Sequence, residues 1–121
     1  MKNVFWGTSL SGKLNLDFWI SVNKLPDFFC CNDPKIWGTY FHEILVISPE
    51  DLKKIIQNEV VYVYVTSFAY PQIKEQVISL GLDGSHVIRS QYPYHYFYQK
   101  EYEYLWNKKL PNVVINKNKR L

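Results

Sequence analysis

The chain is poor in cysteine, in long apolar runs and in excess charge of either sign. Only two of its 121 residues are cysteines, the neighbours Cys30 and Cys31. Adjacent cysteines rarely pair with each other, so the composition favours a protein of the reducing cytoplasm over a disulfide-stapled one. No apolar run approaches the roughly 20 residues that span a bilayer, so we expect no membrane insertion. The first predicted strand follows Met1 almost directly, so we expect no signal peptide.

The charged residues and the histidines argue against nucleic-acid binding, metal binding and catalysis. The net charge of +3 comes from 14 basic and 11 acidic residues, and part of it lies in the tail at 116–120. Such an excess is typical of a solvated terminus, and the aromatic residues lack the interleaved basic groove of a nucleic-acid site. None of the three histidines has metal-ligand spacing, and no side-chain pair resembles a general acid and base. We therefore predict no metal site, no catalytic residue, no nucleic-acid partner and no stand-alone enzyme.

Hydrophobic residues alternate between strand-like and helix-like spacing. They make up 47% of the chain, which is enough for the core of one globular domain. Residues 35–43 are predicted as a loop. Strands are predicted at residues 3–6, 27–31, 44–47, 60–65 and 85–89, and helices at 12–25, 48–58 and 71–81. This alternation predicts an α/β fold with three layers and a mostly parallel sheet of about five strands.

Two helices have recognisable end signals. Ser48, Pro49 and Asp51 fit the N-cap, first and third positions of the second helix. Pro71 is expected in the first turn of the third helix, and Gly81 after its end. For the first helix, Ser11 is a candidate N-cap, although its hydroxyl could face a ligand instead.

Residues 91–121 differ in composition from residues 1–90. Aromatic side chains crowd residues 92–98, and a short helix is expected at 101–106. We predict an aromatic C-terminal helical segment that packs on the same domain and ends in the basic tail. Its second aromatic face is a candidate contact for a homodimer or a partner enzyme, or a candidate wall of a ligand site.

A turn with two glycines separates the first strand from the first helix. A helix N-terminus has unpaired N–H groups and a partial positive charge, so this turn is a candidate phosphate cradle. The turn has the spacing of the dinucleotide fingerprint G-x-G-x-x-G, with serine at the middle glycine. Its residues are Gly7, Thr8, Ser9, Leu10, Ser11 and Gly12.

Two stretches of the chain resemble a known family. Residues 28–38 and 46–52 are similar to the pattern F-x-D-N-D-P-x-K-x-G … V-I-S-P-E-E-L, and residues 63–81 continue the match. The pattern is that of small Rossmann-like NAD(P)- or nucleotide-sugar-binding domains of bacterial polysaccharide (glycan) biosynthesis. Such domains occur at the N-terminus of nucleotide-sugar dehydratases and beside sugar acyltransferases. The resemblance covers residues 3–89 and implies a Rossmann-like nucleotide-binding domain over residues 1–90.

Two positions depart from the family pattern. Ser9 stands at the middle glycine, where a Cβ atom hinders the approach of a pyrophosphate to the backbone. Cys31 stands where the family has an aspartate that would bind the ribose hydroxyls in a dinucleotide site. Both departures weaken NAD(P) as the cofactor, and they leave open a nucleotide-sugar, a smaller phosphate or an empty pocket.

The resemblance and the residues together give a candidate binding site. The turn from Gly7 to Gly12 would hold phosphate, while Asn32 and Asp33 would meet the ribose or base. Thr66 and Ser67, at the end of the central strand, would close the pocket. The expected function is a nucleotide or nucleotide-sugar binding module in bacterial glycan biosynthesis. The alternative is a non-catalytic interaction domain, for dimerisation or partner docking, whose nucleotide pocket has degenerated.

Overall fold

A computed structural model of the chain describes residues 1–90. They form one six-stranded sheet and three α-helices. In chain order the elements are β1 (Lys2–Trp6), α1 (Leu10–Ser21), β2 (Phe28–Cys30), β3 (Tyr40–Phe41), β4 (Ile44–Ile47), α2 (Pro49–Asn58), β5 (Val61–Val65), α3 (Tyr70–Ser79), a 3₁₀ turn (Gly84–His86) and β6 (Val87–Arg89). The predicted α/β fold is confirmed. The predicted C-terminal segment at 91–121 lies outside the described residues.

The order of the strands is that of a Rossmann-like sheet. The strands lie in the order β3-β4-β2-β1-β5-β6. All neighbours are parallel except β3, which pairs antiparallel with β4 at one edge. From β1 the chain builds outward through β2 to β4, and then crosses by α2 to β5 on the other side of β1. The order therefore reverses between β1 and β5, which is where open α/β sheets bind ligands.

The helices divide between the two faces of the sheet. One core contains Leu52 of α2 and Val77 of α3 against the valines of β5. The other core contains Leu16 of α1 against Phe5 and Phe29. Successive strand residues point to opposite faces, so β5 buries its three valines on the α2–α3 face. Its two tyrosines lie half-buried on the α1 face.

The end signals of the second and third helices are confirmed. The Ser48 hydroxyl accepts a hydrogen bond from the N–H of Asp51 at 3.0 Å, and Pro49 is the first residue of α2. Gly81 follows α3 with a φ of +109°, in the left-handed region that favours glycine. These local rules held because each concerns residues within one turn of the helix end.

Two local predictions are wrong. The N-cap of α1 is Ser9 and not Ser11, so the helix begins one residue after that cap, at Leu10. The predicted loop at 35–43 contains β3, which adds a sixth strand to the predicted five. His42 and Glu43 form the two-residue hairpin turn between β3 and β4, with φ values of +48° and +72°. Because they lack the glycine or asparagine usual in such a turn, the sequence carried no signal for it.

Candidate functional site

The candidate site lies at the carboxyl ends of β1 and β5, where the strand order reverses. The loop after β1 carries Gly7, Thr8 and Ser9, and the loop after β5 runs from Thr66 to Ala69. Parallel strands end at the same edge of the sheet, so the two loops lie side by side. The N–H of Thr66 donates to the carbonyl of Trp6 at 3.0 Å, which joins the start of the loop after β5 to the end of β1.

Gly7 and Gly12 allow the close packing of this turn. Gly7 has a φ of +134°, and a Cβ atom there would lie 2.3 Å from Oγ1 of Thr66. A Cβ atom on Gly12 would lie 2.1 Å from the carbonyl oxygen of Gly7. The first glycine thus makes the tight turn and the last lets α1 approach the strand, which are two of the three glycine roles in the dinucleotide fingerprint.

Ser9 occupies the middle glycine position of the fingerprint. Glycine at that position has the third role, which is to let a ligand approach the backbone closely. The Ser9 φ of −96° and ψ of −170° are extended values that serine adopts without strain, so the backbone here does not require glycine. Its side chain is exposed and accepts no capping hydrogen bond from the first turn of α1. The side chain of Ser9 therefore adds bulk on the exposed surface of the turn.

Thr66 and Ser11 hold the two loops together. Thr66 is buried, and its hydroxyl donates to the carbonyl of Trp6 at 3.0 Å and lies 3.4 Å from that of Gly7. The Ser11 hydroxyl donates to the carbonyl of Thr66. Of the sequence-predicted site residues, the structure thus brings together Gly7, Gly12, Ser11 and Thr66. The Ser11 and Thr66 hydroxyls bind the protein itself.

Asn15 extends this network along α1. It is 2% exposed, and its amide donates to the carbonyl of Ser11 at 2.8 Å. The hydroxyl of Ser90, at the end of β6, donates to the Asn15 side-chain oxygen at 2.5 Å. The sequence prediction missed Asn15, although an asparagine among apolar helix positions was the available signal.

The ends of the helices differ in their charge environment. α2 has its Ser48 cap and two acids, Glu50 and Asp51, in its first turn. The first turns of α1 and α3 contain no acidic residue, and no cap side chain binds them. Both of these helices begin at the loops of the candidate site. Their unneutralised positive ends favour an anion there.

Basic side chains add positive charge on the α3 side of this edge. The Arg89 guanidinium lies 5.4 Å from the ring centre of Tyr70, and the Lys74 ammonium lies 5.8 Å from it. Within residues 1–90, the one salt bridge joins Lys13 to Asp17 at 2.6 Å. Arg89 and Lys74 are thus not neutralised by a carboxylate of the described part of the chain.

Asn32 and Asp33 follow β2 at the same edge but are engaged in other contacts. The Asn32 and Gln76 amides form a reciprocal pair, with nitrogen-to-oxygen distances of 3.0 Å and 2.7 Å. Asp33 accepts a hydrogen bond from the N–H of Lys35 at 3.0 Å. Both residues are exposed, so neither contact is shielded from solvent. Gln76 was not foreseen, and no sequence signal links it to a residue 44 positions away.

The two cysteines point into opposite cores, as their neighbouring positions in an extended chain predict. Burial, followed by the neighbouring Cys31, raises the pKa of the Cys30 thiol far above its ordinary value. Cys31 is 8% exposed, and its carbonyl accepts a hydrogen bond from the Trp37 indole at 2.8 Å. Both thiols are buried, so neither is presented to a ligand.

The remaining predicted residues lie on the outside of the two loops. Thr8 is half-buried, and the hydroxyl of Ser67 accepts a hydrogen bond from the N–H of Ala69 at 3.1 Å. Leu10 is 72% exposed. Phe68, which the sequence prediction omitted, is 91% exposed on the loop after β5.

A separate groove of about 420 Å³ lies away from this edge, toward the amino ends of β1 and β5. It shares no residue with the candidate site. Aromatic and aliphatic side chains dominate its lining, with one lysine at its rim. Residues that line it include Asn3, Trp19, Lys24, Tyr62, Tyr64 and Ile88.

Metal and membrane features are lacking in the described residues. No group of three histidine, cysteine or carboxylate side chains within residues 1–90 is placed to hold a metal ion. In the same range, no helix is long and apolar enough to cross a bilayer.

The fold has counterparts among solved structures, although no family model and no curated protein matches the chain. The crystal structure of UDP-D-quinovosamine 4-dehydrogenase from Vibrio fischeri is similar over 65% of this chain and 68% of that protein, with 26% identity and a TM-score of 0.49. The crystal structure of RSP in complex with β-NAD+ and operator DNA is similar over 94% of this chain, with 11% identity and a TM-score of 0.50. The chain spans 60% of the length of RSP. That second likeness shows the Rossmann-like fold.

Proposed function

We propose that residues 1–90 bind a nucleotide or nucleotide-sugar, with phosphate at the turn between Gly7 and Gly12. The observation that carries the proposal is the first turn of α1, at the point of strand reversal, which has no acidic residue and receives no capping hydrogen bond from the Ser9 side chain. Phosphate accepts hydrogen bonds from backbone N–H groups at such an end, and the helix dipole favours its charge. Arg89 at the end of β6 and Lys74 on α3 add to the same potential.

Two residues near the turn narrow the class of ligand that it could bind. Ser9 hinders a pyrophosphate held tightly against the backbone, and a buried Cys31 offers no carboxylate to ribose hydroxyls. Both features weigh against NAD(P) in the standard dinucleotide pose, so we favour a nucleotide-sugar whose diphosphate lies farther from the backbone, or a smaller phosphate compound. Asn32 and Asp33 would meet the ribose or base after exchange of their exposed contacts, and Thr66 and Ser67 would shape the far side. The resemblance to glycan-biosynthesis domains supports a role for this binding module in bacterial polysaccharide assembly.

Ser9→Asp is the sharpest test of the phosphate position. An aspartate at an N-cap satisfies first-turn N–H groups and adds a favourable charge, so the unliganded variant keeps or gains stability, by up to about 1 kcal/mol. The same carboxylate repels phosphate. The matched control is Gln57→Glu, at an exposed position of α2 away from the site, which adds the same negative charge as Ser9→Asp. Gly12 is unsuitable for this test because any side chain there collides with Gly7.

The measurement is a thermal-shift panel followed by calorimetric titration of every hit. Candidate ligands are NAD, NADP, the UDP-, GDP- and CDP-sugars, and S-adenosylmethionine. We expect stabilisation of the wild type and of Gln57→Glu by at least one phosphate-bearing ligand, and its loss in Ser9→Asp. A flat response of the wild type to the whole panel contradicts nucleotide binding. Equal binding by Ser9→Asp contradicts the phosphate position.

The second candidate function is an interaction domain with a degenerate pocket. It is favoured by the use of the Ser11 and Thr66 hydroxyls in contacts within the protein, and by the groove lined with Tyr62, Tyr64 and Trp19. Its expected signature is a dimer in light scattering, together with no response to the ligand panel. A partner enzyme of glycan biosynthesis would be the alternative occupant of such a surface.

A further inference from the structure

Phe68 is the most exposed large apolar side chain among residues 1–90, at 91%. It lies on the loop between β5 and α3, two residues after the buried Thr66. Two residues of extended chain span at most about 7 Å, so Phe68 lies at the candidate site. A phenyl ring in solvent is ordinary when isolated, but this one is at the position where the fold binds ligands.

The loop that carries Phe68 is held at both ends. Thr66 is fixed to β1 through its N–H and its hydroxyl, both of which donate to the carbonyl of Trp6 at 3.0 Å. The N–H of Ala69 donates to the Ser67 hydroxyl at 3.1 Å. The carbonyl of Ala69 accepts the hydrogen bond of Ile73 within α3. The backbone on both sides of Phe68 is therefore anchored, and its ring is presented without a packing partner in the described chain.

A second exposed apolar side chain lies on the first residue of α1, directly after the loop that follows β1. Leu10 is 72% exposed, and its neighbour Ser11 bonds to the carbonyl of Thr66. An exposed apolar side chain therefore follows each of the two positions, Gly7 and Thr66, at which the loops touch. When the phosphate of a nucleotide is bound at the turn, the planar base of the same molecule lies within reach of these apolar side chains. Aromatic side chains hold bases by stacking.

We propose that Phe68 stacks on the base of the bound nucleotide and that Leu10 packs beside it. This inference rests on the proposed function, since a base reaches the ring only when phosphate occupies the turn. It assigns recognition of the base to the loop after β5. Stacking tolerates any base, so Phe68 supplies affinity for nucleotides over simple phosphates and does not choose among bases.

Phe68→Ala and Phe68→Tyr test the proposal against Tyr40→Ala. Tyr40 is 70% exposed on the edge strand β3, so its removal deletes an aromatic ring of similar exposure at the far side of the sheet. The probes are UDP and ADP, which have a base, and ribose 5-phosphate and inorganic pyrophosphate, which have none. Each variant is first unfolded with urea to establish that its stability equals that of the wild type.

We expect Phe68→Ala to weaken the affinity for UDP and ADP by about tenfold or more. Its affinity for ribose 5-phosphate and pyrophosphate should stay within about twofold of the wild type, as should all affinities of Phe68→Tyr and Tyr40→Ala. Equal loss for all four probes, or no loss for any, overturns the stacking role and leaves the proposed function intact. If the wild type binds none of the four probes, the proposed function fails first, and the stacking role fails with it.

Discussion

A Cβ atom placed on Gly12 would lie 2.1 Å from the carbonyl oxygen of Gly7. The first helix therefore touches the turn that precedes it, backbone against backbone. A Cβ atom placed on Gly7 would likewise collide with the Thr66 hydroxyl. Both glycines of the G-x-S-x-x-G turn are thus required by packing within the protein. The middle glycine of the dinucleotide fingerprint has a different role, because it lets the ligand approach the backbone. That position is the one occupied by serine in this chain.

Gly12→Ala should destabilise the domain, because the obstructing atom is backbone that cannot rotate away. We expect a loss of about 1–3 kcal/mol in the free energy of unfolding, measured by urea titration. The control is Gly84→Ala, where a Cβ atom would meet Ile78 at an ordinary 3.4 Å. That change should cost less than about 0.5 kcal/mol. Equal stability of Gly12→Ala and the wild type would contradict the close approach of α1.

Thr66→Val should reduce stability through the hydrogen bond that joins β5 to β1. The buried hydroxyl donates to the carbonyl of Trp6, which keeps the Thr66 N–H as a second donor. The expected cost is therefore modest, about 1 kcal/mol by urea titration. Thr39→Val is the matched control, because the Thr39 hydroxyl also donates to a carbonyl, that of Ile36, but is exposed. A larger loss for Thr39→Val than for Thr66→Val would refute this ranking.

The sequence allowed the fold to be predicted where local rules and periodicity decide it. The alternating valines of β5 and the Ser48 cap of α2 each act within a few residues. The β3 hairpin was missed because His42 and Glu43 adopt positive φ without the residues that usually announce such a turn. Serine is a favoured cap residue wherever it occurs, so residue type does not distinguish Ser11 from Ser9, which is the observed cap.

The candidate site was predictable in position but not in its internal contacts. The turn and the end of the central strand meet because parallel strands end together, and the strand order follows from right-handed crossovers. Two contacts depend on how the helices pack on the sheet. The Asn32–Gln76 pair depends on the packing of α3, and the hydrogen bond from Ser11 to Thr66 depends on that of α1. Exposure of Phe68 likewise depends on packing that no local pattern records.

The Asn32–Gln76 amide pair should show measurable coupling between the loop after β2 and α3. Two well-formed but exposed hydrogen bonds should give a coupling energy of about 0.5–1 kcal/mol in a double-mutant cycle of Asn32→Ala and Gln76→Ala. Combining Gln76→Ala with Asn58→Ala is the control, because the Asn58 amide bonds within its own helix, to Lys54. That pair should be additive. Additivity of Asn32→Ala and Gln76→Ala would show that the pair does not form in solution.

Cys30 should be unreactive in the folded protein. Its thiol is fully buried, and burial raises its pKa, so both access and the thiolate fraction are low. In Cys31→Ser, where Cys30 is the remaining thiol, a disulfide reagent at about pH 8 should label slowly, at a rate that urea increases in step with unfolding. Rapid labelling under native conditions would place Cys30 at the surface, contrary to the structure.

Asp83 should make the stability depend on pH at the acid end. Its carboxylate accepts hydrogen bonds from the N–H of Ser85 at 2.8 Å and from the Ser85 hydroxyl at 2.7 Å. The N–H contact, followed by the hydroxyl, holds the pKa of Asp83 below its ordinary value of 3.8. Because the folded pKa is the lower one, the stabilisation is present above the unfolded value. It is lost as the pH falls through the folded value.

The stability difference between wild type and Asp83→Asn should therefore shrink as the pH falls from about 6 to about 2.5, measured by urea titration at each pH. Ser85→Ala is the companion variant, because it removes the hydroxyl contact and keeps the N–H. It should lose less of the acid dependence than Asp83→Asn, since the N–H has the larger effect on the pKa. The interaction caps the 3₁₀ turn that leads into β6, so hydrogen exchange of the His86 N–H, which bonds to the carbonyl of Asp83 at 2.9 Å, should speed up in Asp83→Asn. A difference that stays constant with pH would show that Asp83 acts through its shape and not through its charge.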